Sequence, residues 1–381
     1  MKRLVFFLSP LLFASSPLDI INSYRINTGL NPLTENTHLK CAATKHNEYM
    51  RKNKIYGHYE MPNTPYFIGK TPGDRAINCG YESRYIFENI SKGQDSYKES
   101  IENLMGAIYH RINFLNFNID EIGYSKNTQF FTYDMGNSYI NTSCQKEWNI
   151  MSGSYGVCKE FNKIIPTSYI NQITSKNPKL IFFPYANMKN VPTTFYNEHP
   201  DPLPDYDISG YPISIHLNPY YFKTLVIKNF DIYQTNKKIK NIRILTYKND
   251  PNKKLSKTDA VLFPLTPLKP NTTYHIEAKI LADNKPINLS WDFTTKTIKS
   301  NYLINNAKYQ QFTIKPNKDY IIYLKPLSPT DIFNSIRVSY SGVSINKFKL
   351  KDNNHILVNL KGNGRFNIFA KDREIELKVR E

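Results

Sequence analysis

Cysteine, glycine and tryptophan are scarce in this 381-residue sequence, with four, 15 and two copies. So little glycine excludes a collagen-like or low-complexity chain, and 28 tyrosines with 22 phenylalanines exclude disorder for most of the length. No two cysteines stand at Cys-x-x-Cys spacing. Long apolar runs are missing as well. After the first fourteen residues no stretch approaches the roughly eighteen apolar residues a spanning helix needs, which excludes a multispan membrane protein. Gly-x-Ser-x-Gly and His-Glu-x-x-His are both absent, so two common hydrolase signatures are lacking.

What is present begins with Met1-Lys2-Arg3, the apolar run Leu4 to Ala14, and the small residues Ser15 and Ser16. This is the layout of a secretory signal peptide spanning 1–16, with a mature start at Pro17; a retained N-terminal anchor is the alternative. Export to the periplasm, the cell surface or the medium follows. Four cysteines in an exported chain read as disulfides rather than reactive thiols. Cys144 and Cys158 are near neighbours, leaving Cys41 and Cys79 to pair across a longer loop, one of three connectivities.

The net charge of +18 is unevenly placed. Residues 17–140 hold 13 Lys+Arg and 13 Asp+Glu, whereas residues 141–381 hold 35 against 19. The basic residues of the tail are dispersed, with no Arg-rich arm or basic helix, so nucleic acid is not the expected partner. Dispersed charge can still attract an anionic cell-envelope surface; solvated strand faces are the blander alternative.

Helical periodicity dominates the first part. Leu39, Ala42, Ala43, His46 and Met50 form one stripe of a helix that Thr34 or Asn36 could cap, and His46 on that stripe is expected to be a core histidine. A further helix carries Ile101, Leu104, Met105, Ile108, Ile112 and Leu115. Glu121–Ser125 and Thr128–Met135 read as a hairpin, so residues 17–140 form an α+β domain. Residues 141–205 contain seven of the 23 prolines and read as a connector with a disulfide clip at its start. Six strand-like runs between 206 and 298 describe a β-sandwich. Its Leu268-Lys-Pro-Asn-Thr-Thr-Tyr274 and Trp291-Asp-Phe-Thr-Thr295 resemble signatures of bacterial immunoglobulin-like domains, which implies a tyrosine corner at Tyr274 and Trp291 in the core. Residues 299–381 alternate again, with turns expected at Asn353-Asn354 and Gly362-Asn363-Gly364, and read as a smaller C-terminal β-domain.

Short blocks of the first module follow one order: Leu18 to Leu33, Ala42 to Met50, Gly57-His58, Asp74-Arg75-Ala76, Gly80-Tyr81, Glu88-Asn89-Ile90, Leu104-Met105, His110-Arg111, Glu121-Ile-Gly123 and Tyr133 to Gly136. Together they resemble the CAP superfamily of cysteine-rich secretory, antigen 5 and pathogenesis-related 1 proteins, in its bacterial branch. The resemblance implies an α-β-α sandwich whose groove holds two histidines and two acidic residues, a set that binds a divalent metal in some members. Carried over, the histidines are His58 and His110 and the first glutamate is Glu88; the second falls at Ala107. On a continuous helix from Ile101, His110 lies about 180° from the apolar stripe, facing the groove. A weakly held divalent cation such as zinc on His58, Glu88 and His110 is therefore one expectation, and a lipid, glycan or peptide in the same groove the other. Asp74-Arg75 reads as a structural ion pair, and Arg111 as a structural residue. With no evident nucleophile the chain reads as an exported binding module rather than an enzyme; a metal-assisted hydrolase or a structural envelope protein are the alternatives.

Overall fold

The computed structural model describes residues 15–298 and 301–381, so residues 1–14 of the expected signal peptide and the expected boundary at 298/299 fall at or outside its limits. The described residues divide into two compact units, one running to residue 181 with 218–221, the other holding 182–217 and those from 222 onward.

The first unit opens with α1 (Pro17–Asn27), whose N-cap Ser16 accepts from the Asp19 amide while Asp19 reaches back, a reciprocal capping box. Next come β1 (Thr34–Glu35), α2 (Thr37–Asn53), α3 (Pro72–Asn78), β2 (Phe87–Lys92), α4 (Tyr97–Gly106), α5 (Ile108–Phe114), β3 (Glu121–Lys126), β4 (Phe130–Gly136), α6 (Ser138–Cys144) and α7 (Thr167–Thr174). The strands make one sheet in the order β1-β3-β4-β2, leaving β2 at an edge. Alternation of side chains along β2 and β4 sorts the two faces. Thr132 bonds Asn47 of α2 on one face, while Tyr133 bonds Ser100 of α4 on the other. Helices therefore cover both faces, as the resemblance implied. Asn36 caps α2, and Leu39, Ala42, Ala43, His46 and Met50 are all buried. Arg25 is buried and donates to the carbonyls of Asn31, Phe114, Asn116 and Ile119, so one guanidinium ties α1 to the chain after α5.

Both disulfides pair as expected, Cys41–Cys79 and Cys144–Cys158, and no cysteine is free among the described residues. The first closes a 38-residue separation, which chain entropy values at about 4 kcal/mol. Cys79→Ser is expected to lower stability by roughly 2–4 kcal/mol, and non-reducing peptide mapping should recover both linked pairs.

From the first unit to the second runs β5 (Leu180–Phe183). Residues 141–205, expected as a connector, hold regular elements: the end of α6, α7, β5, β6 (Met188–Val191) and β7 (Thr194–Tyr196). The second unit continues with β8 (Ile208–Gly210), β9 (Ile213–Leu217), β10 (Leu225–Gln234), β11 (Lys237–Lys238), β12 (Ile242–Thr246), β13 (Asp259–Pro264), β14 (Thr273–Ala282) and β15 (Lys285–Thr295). One sheet runs β11-β10-β14-β15-β6, and another includes β12, β13 and β9. Thus β6, from the proline-rich stretch, joins this sheet in parallel with β15. The Tyr274 hydroxyl accepts from the Lys269 amide at 2.8 Å, and buried Trp291 donates to the Pro184 carbonyl.

The remaining strands are β16 (Asn301–Asn305), β17 (Tyr309–Ile314), β18 (Tyr320–Leu324), β19 (Arg337–Asp352), β20 (His355–Ala370) and β21 (Arg373–Val379). Asn353-Asn354 turns the β19–β20 hairpin, as expected. Gly362-Asn363-Gly364, expected as a second turn, lies instead inside β20. Along one edge β20 pairs β18 through residues 355–358 and β21 through residues 364–370, so this strand serves two neighbours. The change of partner falls where Gly342 and Gly362 have φ of +71° and +94°, and a side chain on Gly364 would meet the Ser341 carbonyl oxygen at 2.1 Å. Glycine here bends a strand rather than ending it.

Candidate functional site

A chain of ionisable side chains runs through the first unit from His46 to His58. His46, on α2 and fully buried, faces the Glu60 carboxylate through Nδ1 at 2.9 Å and the Gly57 carbonyl through Nε2 at 3.0 Å. Glu60 also accepts from the Ile68 amide and lies 3.9 Å from Arg75. Arg75, on α3 and buried, donates to Glu88 at 2.5 Å and to the His58 carbonyl at 3.0 Å. The second oxygen of Glu88 meets His58 Nδ1 at 2.8 Å. His58 is the outlet of this chain, since its side chain is 40% exposed while that of Glu88 is 1% exposed. Burial works to raise the Glu88 pKa, but Arg75, with His46 and His58, more than offsets it and holds the carboxyl below its ordinary value. An ionised Glu88 makes His58 Nδ1 the donor, so in the neutral ring Nε2 keeps a lone pair, and it has no partner among the described residues.

Asp134 stands directly opposite Glu88 in the β2–β4 ladder, fully buried, with neither carboxylate oxygen hydrogen-bonded. Burial, then the Glu88 charge, push its pKa well above the usual carboxyl value, so the two acids divide into one carboxylate and one neutral acid. The sign of the linkage is fixed by that shift: the Asp134 contribution is fully present below the ordinary value of 3.8 and is lost as pH rises toward the folded value. Asp134→Asn is therefore expected to gain stability relative to wild type at neutral pH and little at pH near 4. Urea unfolding at the two pH values checks it.

The structure brings His58 and Glu88 together and sets Glu60, Arg75 and Asp134 beside them, three residues that sequence reasoning does not assign to the site. It corrects the Asp74-Arg75 pair. Asp74 caps α3 through Thr71 and pairs with Arg84, while Arg75 turns inward to Glu88. The wheel argument for His110 is corrected too, because α4 ends at Gly106 and Ala107 is extended, with φ −79° and ψ 118°. His110 lies on α5, where its carbonyl accepts from Asn89, the residue that alternates away from Glu88 to the other face of β2. Arg111 is buried and bonds the Met105 carbonyl across the break, in the structural part expected of it.

A divalent cation does not fit this arrangement. Both Glu88 oxygens are engaged, one by a buried guanidinium at 2.5 Å that a cation would have to displace. Among the described residues no three His, Cys, Asp or Glu side chains are grouped to hold a metal ion. A Ser–His–Asp array does occur elsewhere: His275 Nδ1 lies 2.6 Å from Asp292 and its Nε2 3.3 Å from the Ser290 hydroxyl, on adjacent positions of β14 and β15. It sits on an exposed sheet face with the Glu277 carboxylate 3.6 Å from the same Nε2. Ladder donors lie in the plane of the sheet, not above it where an oxyanion would form, so the array lacks a main part of acyl-transfer chemistry.

Helices on both faces of a four-stranded sheet, with a half-exposed histidine backed by buried ionisable groups, define an α-β-α module. Residues 18–144 match the model of the cysteine-rich secretory protein family, CAP. No curated protein matches the chain. Similar solved structures include an extracellular protein containing an SCP domain from Bacillus anthracis, 21% identical, with a TM-score of 0.30, covering 32% of this chain and 39% of that one. An outer surface protein from Borrelia burgdorferi is 20% identical over 31% of this chain and 86% of that one, with a TM-score of 0.27. A Staphylococcus aureus cysteine-rich secretory protein is 18% identical over 31% and 36%, with a TM-score of 0.21. The chain thus spans less than half the length of the first and third of these. No helix among the described residues is long and apolar enough to cross a membrane.

Proposed function

We propose that this is an exported binding module whose groove takes a small organic ligand at His58, without metal. The observation that carries the reading is the polarity of the charge chain. Buried Glu88, itself held by Arg75, orients the half-exposed His58 ring through Nδ1 and leaves Nε2 as an acceptor in the neutral ring. Pre-set orientation of an exposed polar group costs little on binding, which suits recognition of a hydroxyl or carboxyl on a lipid, glycan or peptide. Two disulfides suit an oxidising compartment, in keeping with export. The sandwich after residue 182, read as immunoglobulin-like from Tyr274 and Trp291, and the C-terminal strands carry the positive charge and dock on anionic envelope material.

The test is incubation of the full chain with a lipid extract and, separately, with envelope glycans, followed by mass spectrometry of what stays bound. Retention by wild type and at least tenfold less by His58→Phe supports the reading. Equal retention by both rejects the groove.

A further inference from the structure

The even charge count of the first module hides a local imbalance. Between residues 51 and 70 stand Arg51, Lys52, Lys54 and Lys70, all exposed, against one acid, Glu60, which is buried and occupied by His46. Lys54 and Lys70 form no ion pair among the described residues. Lys52 lies over the Tyr66 ring at 5.3 Å, and Arg51 has only the exposed Glu48 at 3.9 Å.

The same segment exposes apolar side chains. Tyr59 is 65% exposed, Met61 61%, Tyr66 47% and Phe67 36%. They are held there by a well-anchored backbone. The buried Tyr49 hydroxyl accepts from the Met61 amide, Asn53 donates to the Pro65 carbonyl, and the Glu60 amide donates to the Lys70 carbonyl. Asn63 and Tyr66 both sit at φ +63°, a conformation that costs a tyrosine and is paid for by those contacts. A well-anchored segment that presents tyrosines, phenylalanine and methionine to water and carries four exposed cations has the composition of an interfacial anchor: aromatic rings at headgroup depth, cations at the phosphates.

We propose that residues 51–70 seat the protein on an anionic phospholipid bilayer, with Tyr59, Met61, Tyr66 and Phe67 entering the interface. The occupant follows from charge complementarity and from size. Four side chains fall well short of the roughly 800 Å² per partner of a standard protein interface, yet suffice for shallow insertion. Each cation near an anionic surface adds roughly a fivefold gain in binding. The proposal rests on the envelope-docking part of the reading above and moves the insertion step from the basic second unit to the first. His58, in the same loop, then opens toward the bilayer side.

Flotation of the full chain with phosphatidylcholine vesicles, with and without phosphatidylglycerol, tests it. Wild type should bind the anionic vesicles. Tyr59→Ser/Met61→Ser should bind roughly tenfold more weakly, and Lys54→Gln/Lys70→Gln roughly twentyfold more weakly at low salt, each with unchanged thermal unfolding. Phe67→Trp supplies a reporter that brominated lipid should quench. If Tyr59→Ser/Met61→Ser binds as wild type does and binding falls with salt, the basic second unit carries the docking and the loop proposal is overturned while the envelope reading stands. If wild type binds neither vesicle, the proposal fails and the patch is left to a protein partner.

Discussion

Arg75→Ala is expected to destabilise the first unit by about 3–5 kcal/mol, the usual cost of stripping one partner from a buried ion pair. Nothing else in the site can replace it. The Glu88 side chain is 1% exposed and has Asp134, not a cation, across the ladder. In wild type the lowered Glu88 pKa means that its stabilisation is present above the ordinary carboxyl value of 4.5 and is lost as pH falls through the folded value. Without Arg75 the cost of burying the charge is opposed only by the histidines, so the folded carboxyl takes up a proton more readily than the unfolded one. The defect should therefore be largest near pH 7 and shrink toward pH 4. Arg75→Met/Glu88→Gln should recover part of the loss, because it removes both charges together. Hydrogen exchange of peptides covering β2 and β4 localises the effect in a chain whose two units need not unfold together. A defect that is flat with pH would mean that Arg75 matters for packing alone.

Why the role of Arg75 was missed is a matter of helix geometry. Asp74 and Arg75 are adjacent in sequence and invite pairing, but neighbours on a helix point about 100° apart and do not face each other. One turned to Arg84, the other into the core. The stripe on α2 was legible because five positions repeat on a helix with a single cap at Asn36. The stripe through Ile101 and Ile112 was legible as apolar but not as two helices, since one extended residue at Ala107 leaves residues on both sides buried while shifting the phase. Strand β6 was invisible for a different reason. Its four residues sit between prolines and pair with a segment about a hundred positions later, and only the sheet itself supplies that partner. Similarly, Gly362 and Gly364 carry a turn signal that the facing Gly342 converts into a bend.

Gly123→Ala is expected to cost roughly 3 kcal/mol or more, the upper range for overpacking a core, through a single added methyl group. Gly123 lies on β3 opposite Asp134, on the face that carries α2, where an added Cβ would stand 2.0 Å from the Lys40 nitrogen and 2.1 Å from the Leu39 carbonyl carbon. Both clashes are with helix backbone, so no side chain can rotate away; α2 must lift from the sheet. That movement would disturb the stripe that places His46 against Glu60, and with it the far end of the chain leading to His58. Gly93 is the control. It has φ of +87° with nothing within 4 Å of an added Cβ, so Gly93→Ala meets only the backbone penalty of about 1 kcal/mol. Thermal unfolding of the two variants separates the causes. A much larger loss at Gly123 shows that close approach of α2 to the sheet is what this glycine permits, whereas equal losses would mean that the helix does not dock at this distance.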